Sequence, residues 1–106
     1  MNTRNRKNYT LRDLEKKHGP LSLGRFISAW RLAEELSQKE FANQLGISAA
    51  NLCDIEKGRK GVSIGKAVEI AEAIDYPATI LVQLSLQDQL RASGLSYSVE
   101  VKKDVA

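Results

Sequence analysis

Asn51 and Asp54 are the side chains whose type and spacing suit directional hydrogen bonding to a flat polar target, and Lys57, Arg59 and Lys60 follow as a tight group of cations. A carboxamide offers a donor and an acceptor side by side, a carboxylate accepts, and ammonium and guanidinium groups seek anionic oxygens. Such a set is fitted to recognition. Catalysis has little to draw on: His18 is the only histidine, Cys53 the only cysteine, and no Gly-rich phosphate loop precedes a helix. The serines are accounted for as helix caps. The expectation is a protein that is not an enzyme and holds no cofactor and no metal. His18 is read as structural and Cys53 as a small, partly exposed filler.

The elements that position these residues are helical. Ser22 is expected to cap a helix whose Leu23, Phe26, Ile27, Trp30 and Ala33 recur at helical spacing, and Leu36 plugs the corner after it. Ser37 and Glu40 form a capping box ahead of Phe41, Ala42 and Leu45. Gly46 ends that helix in a left-handed turn, with Ile47 as a core anchor. Ser48 caps the next helix, buried through Leu52 and Ile55 and stopped by Gly58. Ser63 caps another, with Ile64, Ala67, Val68, Ala71 and Ile74 expected inward. Pro77 suits the first turn of a last helix, reaching about Leu90. Upstream, Thr10 caps a short helix ended by Gly19-Pro20, behind a basic arm containing Arg4, Arg6 and Lys7.

The helix after Gly46 opens with Ser48, Ala49, Ala50 and Asn51, a nearly bare tip. A buried helix would carry larger apolar residues there, and a solvated one Glu and Lys. A bare tip suits close approach to another surface. The DNA major groove, about 12 Å wide, admits a helix, and alanine methyls pack against thymine methyl groups. Asn51 can pair bidentately with adenine, or can support the cap of its own helix. Asp54 can accept from a cytosine amino group, or sit over a water. Lys57, Arg59 and Lys60 are candidate phosphate ligands, Lys66 a further one, and the arm is suited to the minor groove or the backbone.

Helix, glycine turn, helix is helix-turn-helix grammar. Leu36-Ser37-Gln38, Phe41-Ala42, Leu45-Gly46-Ile47-Ser48, Leu52 and Ile55-Glu56-Lys57-Gly58-Arg59 resemble the XRE family of phage-repressor-like DNA-binding domains, from about Leu23 to Tyr76. Glu35 departs from the pattern, which often has glycine there. The resemblance implies an all-α, five-helix lambda-repressor-like domain and operator DNA bound by a dimer through the helix Ser48 to Lys57. It also places Gln38 on a phosphate or a base edge, and makes Arg31 and Glu56 a buried ion pair that positions the reading head. The stretches "LRDLEKKHGPLSLGRF" and "NLCDIEKGRK" are further similar to HigA-type antitoxins. That likeness implies a transcriptional repressor of its own operon, partnered by a RelE/HigB-like toxin. A stand-alone or prophage repressor, and an interaction module that no longer reads DNA, stay open beside it.

The boundaries expected are a basic arm and short helix over 1–21, a helix-turn-helix domain over 22–92 and a tail over 93–106. Net charge is +3, concentrated in the arm and in Lys57, Arg59, Lys60 and Lys66, whereas residues 67–90 carry only acids. That asymmetry suits a polyanionic partner. One cysteine fits a reducing compartment, and no run of about 18 apolar residues offers a membrane span. The basic start lacks the apolar stretch of a signal peptide, so the cytoplasm of a bacterium, or a phage origin, is expected. On the last helix, Ile80, Leu81 and Leu84 share one side, while Val82, Leu86 and Leu90 share the other. The second stripe is assigned to a dimer interface. Beyond Gly94, Leu95, Tyr97, Val99 and Val101 alternate with polar residues, which predicts a C-terminal β-strand extension able to pair with another chain or with the toxin.

Overall fold

The computed structural model describes residues 21–104. The expected arm and the short helix before Gly19, with Arg4, Arg6, Lys7 and His18, lie outside the described residues. Five helices follow: α1 Leu23–Ala33, α2 Gln38–Leu45, α3 Ala49–Glu56, α4 Ile64–Ala73 and α5 Ala78–Ala92. Serine starts the first four. The hydroxyls of Ser22, Ser37, Ser48 and Ser63 accept from the backbone N–H groups of Arg25, Glu40, Asn51 and Lys66, each at 3.0–3.2 Å. Each bond satisfies a donor that the helix itself leaves without a partner. Ser37 and Glu40 complete the capping box, Glu40 Oε1 accepting from Ser37 N–H at 2.8 Å. That bond and the Ser37 hydroxyl hold the Glu40 carboxyl below its ordinary pKa.

One backbone device closes all five helices. A residue turns left-handed, and the next N–H reaches back to a carbonyl of the last turn. Leu36, Ile47, Arg59, Tyr76 and Leu95 donate in this way to Arg31, Ala42, Asp54, Ala71 and Leu90 at 2.8–3.1 Å. Glycine takes the left-handed position at 46, 58 and 94; Glu35 (φ 58°) and Asp75 (φ 54°) take it after α1 and α4. The missing glycine at 35 therefore leaves the turn intact and makes a residue with a Cβ occupy a strained region.

The core gathers Leu23, Phe26, Ile27 and Trp30 of α1, Phe41 and Ala42 of α2, Leu52 and Ile55 of α3, Ala67, Ile70, Ala71 and Ile74 of α4, and Leu81 and Leu84 of α5. Trp30 stacks on Phe41 (centroids 5.2 Å), and Phe26 meets Tyr76 edge to face at 5.0 Å. Two inward expectations change. Ala33 is exposed at the end of α1, and Ile64 is 45% exposed in the first turn of α4. The buried stripe of α4 runs through Ala67, Ile70, Ala71 and Ile74, so Ile64 and Val68 lie off its centre at about 100° per residue.

The first and last helices are stapled. Asp88 Oδ2 accepts from Leu23 N–H at 3.0 Å, and Arg91 bonds both Asp88 Oδ1 and the Leu21 carbonyl at 3.3 Å. Burial pushes the Asp88 carboxyl above the ordinary aspartate range, although Leu23 N–H and Arg91 pull the other way. Val82, Leu86 and Leu90 are half-buried on α5.

Leu95 to Val101 is not a β-strand; no strand occurs among the described residues. The segment instead runs back along α5 and bonds to glutamines. Gln87 Nε2 donates to the Tyr97 carbonyl (2.6 Å), Gln87 Oε1 accepts from Val99 N–H (3.0 Å), and Gln83 Oε1 accepts from Val101 N–H (3.0 Å). The Gln87 carboxamide thus takes the place of a residue in a neighbouring parallel strand. Alternation predicted a strand and none forms; the Gln83 and Gln87 side chains bond the backbone of residues 97, 99 and 101 in its place.

Two outcomes are expected. Glu35→Gly relieves the left-handed strain and raises unfolding free energy by roughly 1 kcal/mol; an unchanged urea midpoint would count against strain there. The raised Asp88 carboxyl makes the fold favour its protonated form, so this group's contribution to stability is greatest at acid pH. That contribution declines as pH rises through the Asp88 titration. Asp88→Asn, which keeps an acceptor for Leu23 N–H, should therefore unfold no earlier than wild type at pH 7. Its advantage should vanish as pH is lowered through the aspartate range. A thermal midpoint that falls at pH 7 would contradict this.

Candidate nucleic-acid interface

The bare tip predicted from sequence is solvent-exposed. Ser48, Ala49 and Ala50 are exposed, while Leu52 and Ile55 bury the opposite side of α3 against the core. At about 100° per residue, Ala49, Ala50, Cys53, Asp54 and Lys57 share an arc of about 140° facing away from Leu52 and Ile55. Ala49, Ala50 and Lys57 are exposed there and Cys53 and Asp54 half-exposed. A helix bound by its back and bare at its leading end can enter a groove without unfolding anything.

Asn51 stands elsewhere. The same geometry puts it at the margin of the buried side. Its Oδ1 is enclosed and has no hydrogen-bond partner among the described residues. Bidentate pairing with adenine needs the amide oxygen and nitrogen directed outward together, which requires a different rotamer. The Ser48 hydroxyl, and not the Asn51 side chain, caps the helix.

Asp54 and Arg59 form one unit. Arg59 Nε lies 3.0 Å from Asp54 Oδ1, and Arg59 Nη2 comes 3.9 Å from Cys53 Sγ. The Asp54 carbonyl receives the N–H groups of Arg59 (2.8 Å) and Lys60 (3.2 Å). The loop after α3 is thereby folded back on the helix and presents Lys57, Arg59 and Lys60, all exposed, beside Asp54. Its far end is tied down as well. Ser85, buried in α5, donates from Oγ to the Val62 carbonyl at 2.6 Å. Sequence reasoning missed Ser85, since a lone serine inside an apolar helix gives no hint of its partner. Lys66 is half-exposed, turned to Glu69 at 3.5 Å.

The expected ion pair is present. Arg31 Nε bonds Glu56 Oε2 at 2.8 Å and Arg31 Nη2 bonds Glu56 Oε1 at 3.0 Å, with side chains only 12% and 5% exposed. Arg31 Nη1 donates to the Leu36 carbonyl at 2.9 Å, and Gln38 Nε2 donates to Glu56 Oε1 at 3.0 Å. Hydrogen bonding to Glu56 raises the Arg31 pKa against the lowering effect of burial. One carboxylate therefore joins α1, the start of α2 and the end of α3. Gln38 is held by this network with one amide proton engaged. Gly24 completes the arrangement and was also overlooked: a Cβ there would collide with the Ile55 carbonyl and crowd that of Glu56 at 3.1 Å. Its absence lets α1 touch the backbone of α3.

A protruding helix set by a glycine turn on a second, locked helix, with cations beside its tip, defines a helix-turn-helix DNA-binding module. Residues 27–81, just over half the chain, match the helix-turn-helix family model, and the chain belongs to this XRE-type family of DNA-binding transcription regulators. No curated protein and no solved structure matches it. No helix among the described residues is long and apolar enough to cross a membrane.

Removing one partner of the buried pair should be costly. Glu56→Ala is expected to lose about 3–5 kcal/mol of stability, because Arg31 is left charged and unpaired. A loss below about 1 kcal/mol in chemical denaturation would show that water replaces the carboxylate. Gly24→Ala should cost about 1–3 kcal/mol by overpacking against α3, measured in the same way.

Proposed function

We propose that this protein is a sequence-specific repressor that binds operator DNA as a homodimer, with α3 as the recognition helix. The carrying observation is the exposure of Ser48, Ala49 and Ala50 at the end of a helix whose other side is fixed to the core. Ala49 and Ala50 approach base edges and thymine methyls, and Asp54 reads a base amino group or disfavours wrong registers. Lys57, Arg59 and Lys60 engage phosphates, and Asp54 aims the Arg59 guanidinium. Gln38, held by Glu56, contacts a phosphate or a base edge in this reading. Val82, Leu86 and Leu90 of α5 serve the dimer interface. Two copies then read half-sites about one helical turn apart, near 34–36 Å.

The antitoxin role is the finer part of the proposal. It rests on the likeness of two short stretches to HigA-type antitoxins, and it makes a RelE/HigB-like toxin a second partner. Co-expression with a neighbouring toxin gene tests it: a toxin that stays lethal in the presence of this chain leaves a repressor without an antitoxin role.

Selection of bound sequences from a random DNA pool tests the central reading, and recovery of a palindrome is the expected result. Lys57→Ala or Arg59→Ala should weaken binding to all sequences and reduce the salt slope by about one unit per phosphate lost; an unaltered slope removes those contacts. Asn51→Ala should show an opposite pair of effects. It deletes an unpaired enclosed acceptor, whose burial costs about 1–3 kcal/mol, so the melting point should hold or rise. If Asn51 turns outward on DNA, operator affinity should fall by about 1–3 kcal/mol. Unchanged affinity would assign Asn51 to the protein interior.

A further inference from the structure

The segment along α5 is satisfied on one edge only. Along an extended chain, the N–H and C=O of one residue point to the same side, and those of the next residue to the other. The Tyr97 carbonyl and the N–H groups of Val99 and Val101 are taken by Gln87 and Gln83. The N–H groups of Ser98, Glu100 and Lys102 therefore point away from α5, and none makes a hydrogen bond among the described residues. An ordered, extended edge of this kind is a template for another chain.

We propose that this edge pairs, antiparallel, with the same edge of a second copy of the chain, about a two-fold axis at Val101. This deepens the dimeric reading above and rests on it. The argument for a second copy is self-complementarity. A pairing centred on Glu100 sets two carboxylates opposite one another, and one centred on Lys102 sets two ammonium groups opposite. Centring on Val101 places Glu100 against Lys102 of the other copy, twice, as an isologous contact requires. Both side chains are available, 74% and 79% exposed, with only a 3.7 Å contact to each other. Gln83 and Gln87, which hold the segment, lie on the same side of α5 as Leu86 and Leu90, so ladder and helix stripe form one continuous interface.

Charge reversal in the full-length protein tests the register. Glu100→Lys and Lys102→Glu each turn both attractive cross-strand pairs repulsive, and each should weaken self-association about tenfold in sedimentation analysis. In an equimolar mixture the heterodimer regains both pairs, although each chain alone carries like charges at these positions. The mixture should associate within about twofold of wild type. A mixture no tighter than either variant overturns the ladder, because a contact within one chain cannot be rescued by mixing. The second measurement uses cysteine pairs in a Cys53→Ser background. Facing residues of a non-hydrogen-bonded pair lie about 4.5 Å apart at Cα, within disulfide reach. Val101→Cys should cross-link to itself under mild oxidation and Tyr97→Cys should not; equal cross-linking at both positions rejects the two-fold at Val101. A dimer indifferent to every variant sinks the ladder and leaves the α5 interface and DNA reading in place. Variants that stay dimeric but lose a toxin would give the edge to that partner instead and likewise reject the proposal. Failure of wild type to bind any DNA would sink the functional reading independently.

Discussion

The Glu56 carboxylate is the point on which the reading surface depends. It closes a two-bond fork with Arg31, receives Gln38, and sits at the last turn of α3. Three helices thereby take their relative positions from one nearly buried anion. Desolvation makes such a pair an uncertain source of net stability. Its directionality is what matters: hydrogen bonds fix angles that apolar contacts between Leu52, Ile55 and the core would leave looser. Gly24 serves the same end, since only a residue without Cβ lets α1 rest on the carbonyls at the end of α3.

The loop following α3 is governed from both sides. Two N–H groups of the loop return to the Asp54 carbonyl, and Ser85 holds Val62 from the last helix. The cations between these ties are exposed, yet the backbone that carries them is constrained. Side chains carried on such a frame lose less freedom on meeting a partner than they would on a slack loop. Asp54 has a double effect on the surface, placing one negative charge among the cations while directing the Arg59 guanidinium.

Much of the fold was legible because its signals are local. Ser22, Ser37, Ser48 and Ser63 cap the helices they were expected to cap, and Gly46 and Gly58 occupy left-handed turns. What failed required knowledge of partners. Alternation from Leu95 to Val101 predicted a strand, but nothing in that pattern announces that glutamines ten to eighteen residues earlier would bond to the segment instead. The stripe of α4 was drawn through Ile64 and Val68 when Ile70 belongs to its centre, since several apolar residues in a short helix admit more than one stripe. Asn51 is a separate case: its side chain type suits a base, the angle around the helix sets it at the core margin, and its role on DNA rests on the affinity measurement proposed above. Gly24 and Ser85 are small residues whose importance lies entirely in what approaches them. The Arg31–Glu56 pair came from family resemblance, because residues 25 apart carry no periodic signal.

The shared closing turn of the five helices bears on how quickly this chain can find its structure. Each helix begins with a serine or a proline and ends with bonds confined to its own last turn, so both boundaries of every helix are set by residues a few positions apart. Little distant chain must be gathered before a helix knows where to stop. Chains dominated by such short-range pairings cross their folding barrier in microseconds to milliseconds. A newly made copy would thus spend little time with its apolar stripes open to water.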